Sequence, residues 1–152
     1  EHLDAVILAA AGLNRLGFSD VITELLDTDF SIPAIGQGAL GLECRLNDGA
    51  TIEALSFLNH ADTAAAVAAE RALLKRCEGG CQVPIAAHGT VSGDTLTMVG
   101  FIASVDGKQT VRDSISGSTT DALKLGIELA ERLLAAGGKA ILEDVYQREI
   151  AY

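Results

Sequence analysis

The sequence predicts two fold classes in succession: the end of an α/β domain, then a small α+β domain with a three-stranded antiparallel sheet and helices on one face. Residues 4–9 form a short continuous apolar run, DAVILA, which is typical of a buried parallel strand. Residues 83–115 contain three strand-like runs joined by hairpin turn signals. Helical patterns precede and follow those three runs, an order that favours an antiparallel meander covered on one side.

Composition bounds the partners of this chain. It has 152 residues, 49% of them hydrophobic, which is enough for a sizeable core. Lys and Arg number 11 against 21 Asp and Glu, so the formal net charge is −10. Nucleic-acid binding and attachment to an anionic membrane both need basic patches, so we expect neither partner. No apolar run in the sequence reaches the roughly 18 residues of a membrane span.

The first predicted region, residues 1–31, contains the 4–9 strand and two short helical stretches. A helical turn is predicted over residues 13–17, and a second short helix over residues 19–26. A single buried strand cannot satisfy its own hydrogen-bond ladder, so this region looks like the last piece of a domain whose earlier strands are elsewhere. The start at Glu1, just before the strand, predicts a processed chain or a piece of a longer one.

The second predicted region, residues 32–59, is a connector followed by a strand and a helix. It opens with IPAIGQGALG, in which one proline and three glycines indicate a tight backbone path. Residues 40–45 then predict a strand, residues 47–49 a turn, and Thr51 is predicted to cap a helix.

The third predicted region, residues 60–152, has the pattern of a complete α+β domain. An Ala-rich helix is predicted from Asp62 or Thr63 to Arg76. After it come predicted strands over residues 83–91, 95–104 and 108–115, an amphipathic helix that begins at Thr119 or Thr120 and ends at residues 137–138, and a last short helix over residues 140–146.

Residues 36–41, GQGALG, match the dinucleotide fingerprint G-x-G-x-x-G. A nucleotide site needs a strand before the glycines and a helix directly after them, so that the helix N-terminus meets the pyrophosphate. Pro33 interrupts any preceding strand, and residues 42–45 continue as a strand. We therefore interpret the glycines as permitting a tight backbone path, which a ligand can still touch.

The three cysteines are an odd number and make no disulfide scaffold, which favours a reducing compartment with free thiols. Cys77 and Cys81 miss the C-x-x-C redox spacing by one residue, and His2, His60 and His88 lack paired zinc-ligand spacing. We therefore expect no metal site. Cys81 follows two glycines at a helix end, so its loop can expose the sulfur as a nucleophile or covalent anchor. From composition alone, an inert cysteine remains the simpler interpretation.

Arginines beside tight segments are the remaining candidates for binding. Arg15 and Arg45 are each either a surface arginine that is solvated or ion-paired, or a binding group for a ligand carboxylate. Glu70 and Arg71 lie on the Ala-rich helix, where a solvated face is the expected environment.

Five segments now form a recognisable series. In chain order they are AGLNRLG at 11–17, IPAIGQGA at 32–39, LECR at 42–45, AER at 69–71 and EGGCQVPI at 78–85. This series closely resembles the porphobilinogen deaminase family, also called hydroxymethylbilane synthase. The resemblance covers nearly the whole chain, and its segment GGCQVPI is highly specific.

The resemblance implies an activity and a cofactor. The family enzyme joins four porphobilinogen molecules head to tail, releases ammonia at each step and makes hydroxymethylbilane for haem and related pigments. It builds on a dipyrromethane cofactor held by a thioether to one cysteine, which the match places at Cys81. A thiol suits that attachment because it is a soft nucleophile that can capture the electrophile left when a pyrrole loses ammonia.

The resemblance also implies site residues outside the Cys81 segment. Arg15 would bind an acetate or propionate group of the growing chain. Gln37 would lie near the pyrroles, with Gly36 and Gly38 allowing close approach. The family's catalytic aspartate belongs to the front half of the enzyme, so no catalytic residue is assigned in this segment.

The family's three-domain plan implies a division of the chain. Residues 1–31 would end the second domain, which resembles half of a periplasmic binding protein. Residues 32–59 would be a hinge and a segment returning to the first domain, and residues 60–152 the third domain, which carries Cys81. We expect this segment to need the N-terminal half of the same enzyme for activity, and the whole to be a cytoplasmic monomer.

Two other classes of protein stay open. A non-catalytic small-molecule-binding module would use residues 60–152 as a regulatory α+β domain and would not need Cys81. A thiol redox or metal protein would use Cys77 and Cys81 together. Cys77 departs from the family, which often has an apolar residue there, and its closeness to Cys81 raises the chance of an adventitious disulfide.

Overall fold

The computed structural model describes residues 3–78 and 84–150. The chain divides into two compact units, Glu1–Ser31 and Ile32–Tyr152. Cys81 belongs to the segment 79–83, which lies outside the described residues.

The second unit contains the predicted α+β fold. Its main elements are helix α3 (Ala61–Arg76), strands β1 (Ile85–Ser92), β2 (Thr95–Ala103) and β3 (Thr110–Ser118), and helices α4 (Ala122–Leu133) and α5 (Lys139–Ile150). The strands form one antiparallel sheet in the order β1-β2-β3. A hairpin turn joins β1 to β2 at Gly93, whose φ of 58° suits glycine. The predicted three-stranded antiparallel sheet is confirmed.

One face of the sheet is covered by helices, as predicted. On β2 the alternate residues Leu96, Met98 and Ile102 are fully buried, whereas Thr95 and Thr97 on the opposite face are exposed. The buried side chains join a core that includes Leu73 of α3 and Leu129 and Leu133 of α4, together with residues of α5. Full burial of each such side chain stabilises the fold by about 1.5–3 kcal/mol.

Two glycines let these layers approach closely. A Cβ on Gly100 of β2 would lie 2.8 Å from a methyl carbon of Leu133, so the strand has no room for a side chain there. A Cβ on Gly126 of α4 would lie 2.1 Å from the carbonyl oxygen of Ala69, so α3 and α4 are in backbone contact at that point. The α4 helix therefore packs against both the sheet and α3.

The ends of the strands and helices differ from the predicted bounds. β3 begins at Thr110 because side chains in the preceding loop accept the backbone amides just before it. The Ser104 hydroxyl accepts the amide of Gln109, and the Asp106 carboxylate accepts the amide of Lys108. The α4 helix ends at Leu133, and a π-helical segment, Leu134–Gly138, continues it to the predicted end, where Gly137 has a φ of 116° at a kink. The final helix, α5, is longer than the predicted 140–146.

The strands predicted at residues 4–9 and 40–45 are wrong. Both segments have irregular backbone, and no described residue pairs with either. Ile7 is 80% exposed and Leu40 is 98% exposed, so neither segment is buried within this chain. A strand needs a ladder partner for its backbone groups, and an apolar run by itself does not supply one.

The short helices also differ in detail from prediction. Helix α1 (Ala10–Arg15) replaces the expected turn, and only one 3₁₀ turn (Ser19–Val21) forms where a second helix was predicted. Helix α2 (Gly49–Leu55) is capped by Asp48, whose carboxylate accepts the amide of Thr51 at 3.1 Å, so Thr51 is not the cap. Two hydrogen bonds from Thr51 lower the pKa of Asp48: the one from its side chain has the larger effect, and the one from its amide the smaller.

Candidate functional site

The Gly36-Gln37-Gly38 turn presents Gln37 to solvent. Gly36 and Gly38 have φ values of 70° and 82°, a left-handed conformation that side chains disfavour. Two hydrogen bonds close the turn. The Gln37 backbone amide donates to the Ala34 carbonyl at 2.9 Å, and the Ala39 amide donates to the Gly36 carbonyl at 3.3 Å. A Cβ on Gly38 would meet no atom within 4 Å, so backbone conformation, rather than crowding within this chain, calls for glycine there.

The turn lacks the context of a dinucleotide site, in agreement with its interpretation as a tight backbone path. The chain after Gly41 stays non-helical as far as Asp48, and α2 begins only at Gly49. The pyrophosphate site of the fingerprint needs a helix N-terminus directly after the glycines.

A buried carboxylate ties this turn to the α+β fold. Glu70 of α3 is only 5% exposed. One of its carboxylate oxygens, Oε2, accepts the amide of Gly36 at 2.7 Å, and the other, Oε1, accepts the amide of Gly89 at 2.8 Å. Hydrogen bonds to an ionised group are the strong ones, and they satisfy a charge that would be costly to bury alone. The connector, α3 and β1 therefore meet at one side chain.

Sequence reasoning assigned Glu70 to a solvated face and missed this role. Its position on the helix explains its burial once the structure is known, because Ala66, Ala69 and Leu73 of α3 are all buried. Glu70 lies four residues after Ala66 and three before Leu73, on the same stripe of the helix.

A groove of about 290 Å³ lies beside Glu70. Its walls come from the Gln37 turn, from α3 and from strand β1, and they include the polar side chains of Asp62, Thr63 and His88. The groove is open at the turn, where Gln37 is exposed and Gly38 has free space beside it.

Cys77 is a buried thiol at the end of α3. It is 3% exposed, and burial raises its pKa from 9.0 to about 11. A thiol with that pKa is protonated at neutral pH and is a poor nucleophile or metal ligand. Within residues 3–78 and 84–150, no group of three or more His, Cys, Asp or Glu side chains is placed to hold a metal. Cys81, which a redox or metal site would pair with Cys77, lies outside the described residues.

The residues flanking the Cys81 segment are both held by the α+β fold. On the N-terminal side, Glu78 has a φ of 54°, and its carbonyl accepts a hydrogen bond from the Tyr146 hydroxyl of α5. On the C-terminal side, the Pro84 carbonyl accepts the amide of Ala103 at the end of β2. Glu78 and Pro84 are therefore each tied by a hydrogen bond to an element of the α+β fold.

Two family models match the chain in succession. Residues 1–53 match "Porphobilinogen deaminase, dipyromethane cofactor binding domain", and residues 64–135 match "Porphobilinogen deaminase, C-terminal domain". The porphobilinogen deaminase of Trichlorobacter lovleyi is 91% identical over 152 residues, which are 100% of this chain and 49% of that protein. The chain belongs to the porphobilinogen deaminase family.

Two further porphobilinogen deaminases extend the comparison. Those of Geobacter sulfurreducens and Geobacter metallireducens are 71% and 68% identical over 151 residues, 99% of this chain and 48% of each relative. The chain thus spans about half the length of the curated relatives it matches.

The residues predicted for the porphobilinogen deaminase site fall in both matched regions. Arg15, Gly36, Gln37 and Gly38 lie in the part that matches the cofactor binding domain, and Cys81 lies in the part that matches the C-terminal domain. Arg15 is exposed at the end of α1, and no described residue forms an ion pair with it. No helix in the described part of this family member is long and apolar enough to cross a membrane.

Proposed function

We propose that this chain is the C-terminal portion of a transferase that polymerises four porphobilinogen molecules head to tail, with release of ammonia, into hydroxymethylbilane. The observation that carries the proposal is 91% identity to a porphobilinogen deaminase over the whole chain. The chain covers 49% of that relative, so the activity is assigned to the whole enzyme and this segment by itself is expected to be inactive.

Cys81 is the proposed attachment point of the dipyrromethane cofactor. When bound, the cofactor supplies the primer on which the first substrate is added. A thioether at this position needs a cysteine that meets solvent, and Cys77 offers no competing nucleophile because its thiol is buried. The held positions of Glu78 and Pro84 support a fixed origin for the segment that carries Cys81.

Two polar side chains are proposed to contact pyrroles. Gln37 is exposed on its turn, where its amide can donate to or accept from a pyrrole substituent, and Gly36 and Gly38 keep the backbone there free of side chains. The guanidinium of Arg15 can form two parallel hydrogen bonds with one carboxylate, which suits the acetate and propionate groups of porphobilinogen. With a net charge of −10, the chain repels a dicarboxylate overall, so local cations must hold it.

The three-part division of the chain is part of the proposal. Residues 1–31 would complete an α/β domain, residues 32–59 would connect and return to the first domain, and residues 60–152 form the cofactor-bearing domain. The boundary at Ser31, where the compact units separate, supports the first division. We also propose a cytoplasmic monomer that binds no nucleic acid.

Intact-mass analysis of the full-length enzyme tests the proposal. We expect the wild type and a Cys44→Ser control to carry the mass of a dipyrromethane, because Cys44 is an exposed cysteine outside the proposed site. Cys81→Ser is expected to lack that mass and to produce no hydroxymethylbilane. An active wild type without the added mass would refute the proposal, and reversible ligand binding without any covalent mass would favour the non-catalytic module.

The role of Arg15 is tested separately by Arg15→Leu. We expect turnover of the full-length enzyme to fall about tenfold or more, since a hydrogen-bonded charge pair with a substrate carboxylate is lost. Arg132→Leu is the matched control, because Arg132 pairs with Glu128 on an exposed helix face. Unchanged turnover in Arg15→Leu would remove Arg15 from the site.

A further inference from the structure

We infer that Glu70 is a positioning residue that holds Gln37 at a fixed distance from the strand following Cys81, an inference that rests on the proposed function. The observation behind it is that a single carboxylate accepts hydrogen bonds from backbone amides in two separate segments. Gly36 is 34 residues from Glu70 in sequence, and Gly89 is 19 residues away. Each oxygen of Glu70 therefore serves a different part of the fold.

The charge of Glu70 is satisfied by backbone groups. Among the described residues its hydrogen-bond partners are the two glycine amides, and no lysine or arginine pairs with it. A buried carboxylate without a cation depends on those amides for its stabilisation. Moving either segment away would leave a carboxylate oxygen unpaired in a buried position, so both segments are held in place.

This arrangement places Gln37 with the C-terminal fold. Gly36 directly precedes Gln37 in a turn that two further hydrogen bonds close, so fixing the Gly36 amide fixes the turn. Gly89 lies on β1, which begins at Ile85, four residues after Cys81 in the sequence. The Glu70 carboxylate therefore links the turn that contains Gln37, the proposed pyrrole contact, to β1, the strand that follows Cys81 in the sequence.

Glutamine cannot reproduce both contacts. Its side chain has one acceptor oxygen and one NH₂ group, so an amide N–H would face another donor at one of the two positions. Glu70→Gln keeps the size of the side chain and is therefore the variant that separates the two hydrogen bonds from packing.

A double-mutant cycle in the full-length enzyme tests the inference. We expect Glu70→Gln and Gln37→Ala each to lower kcat about tenfold, the order lost with one charge-assisted hydrogen bond. If Glu70 acts through Gln37, the double variant will have the kcat of Gln37→Ala alone. If the two single-variant losses of kcat multiply in the double variant, Glu70 only supports the fold, and the inference is overturned. An unchanged kcat in either single variant also overturns it, because no positioning of Gln37 by Glu70 would then matter for turnover.

Hydrogen exchange supplies a readout besides activity. We expect the peptide containing Gly36 to exchange about tenfold faster in Glu70→Gln, while Glu128→Gln, the same change on an exposed face, leaves it unchanged. Unchanged exchange at Gly36 would overturn the inference. If Glu70→Gln does not fold, Glu70→Asp keeps the charge but is one methylene too short to reach both amides, and the same expectations apply.

Failure of the proposed function gives a different pattern. A wild-type enzyme that carries no dipyrromethane and makes no tetrapyrrole would refute the function whatever the exchange rates are. An active wild type with uncoupled Glu70 and Gln37 would overturn the positioning role alone.

Discussion

The leading unit, Glu1–Ser31, and the α+β part of the second unit, residues 61–150, differ in how they bury apolar residues. Residues 40–58 of the second unit resemble the leading unit, since Leu40 is 98% and Phe57 81% exposed. In the unit Ile32–Tyr152, Leu73, Leu129 and Leu133 are fully buried between the sheet and its helices. In the unit Glu1–Ser31, no residue of α1 or of its 3₁₀ turn is buried, and Ile7 is 80% exposed. The contrast teaches that similar apolar patterns lead to a core only where the chain also supplies the surface that covers them. The α+β part contains its own partners, whereas the leading unit does not bury its apolar residues within this chain.

Core truncation is expected to show the largest difference between the units. Leu129→Ala should lower the free energy of unfolding by about 3 kcal/mol, because it leaves a cavity where the side chain is 0% exposed. Ile7→Ala should change it by less than about 0.5 kcal/mol. Urea unfolding of the 152-residue chain, followed by circular dichroism, measures both. Equal costs would mean that Ile7 is buried in solution and that the contrast is wrong.

The same glycine-to-alanine change should have opposite signs in the two units. Gly126→Ala forces a methyl group onto the Ala69 carbonyl, 2.1 Å from the new Cβ, and should destabilise the fold by about 1–3 kcal/mol. Gly12→Ala in α1 meets no atom within 4 Å and should favour the helix by up to about 1 kcal/mol. Thermal unfolding reports the first change and NMR chemical shifts of residues 10–15 report the second. A neutral Gly126→Ala would contradict the close approach of α3 and α4.

The buried thiol of Cys77 should make stability depend on pH in the alkaline range. The folded state holds the Cys77 proton more tightly than the unfolded state, since burial raises its pKa from 9.0 to about 11. The stabilisation is complete below pH 9 and is lost as the pH rises towards 11. Urea unfolding between those pH values should show a steeper loss of stability in the wild type than in Cys77→Ala. Alkylation gives a parallel check, because exposed Cys44 should react in the native state and Cys77 only after unfolding.

The smallest expected effect is local and concerns the cap of α2. Asp48→Ala removes the acceptor of the Thr51 amide and should fray α2, whereas Asp48→Asn, which retains a capping oxygen, should preserve the helix. Because hydrogen bonds from Thr51 lower the pKa of Asp48, the ionised cap contributes at neutral pH and is lost as acid protonates it. NMR shifts of residues 49–55 across an acid titration measure this. A pH-independent helix in the wild type would exclude the ionised cap.

Prediction from sequence worked best where the pattern was local. The three strands of the sheet are strand-like runs joined by glycine-containing turns, so their existence and antiparallel order were predictable. The strand predictions at 4–9 and 40–45 failed because pairing is not a local property. Arg15, Gln37 and Cys81 were proposed from family motifs, and their roles stay predictions.

Glu70 shows why part of the site was out of reach. Helix α3 has alanines on every side, so its sequence does not identify a buried face by period, and a charged pair on it is read as solvated. The two amides that satisfy Glu70 come from segments that only the folded chain brings together.

The sequence by itself determined the antiparallel meander, the glycine turn around Gln37 and the family to which the chain belongs, because each depends on neighbouring residues or on a specific motif. Only the tertiary structure decided which carboxylate is buried, which strand predictions fail and which elements form the groove. The physical reason is that burial and backbone hydrogen bonding depend on partners distant in the chain, and a residue such as Glu70 acquires its environment only when β1 and the Gly36 turn are in place.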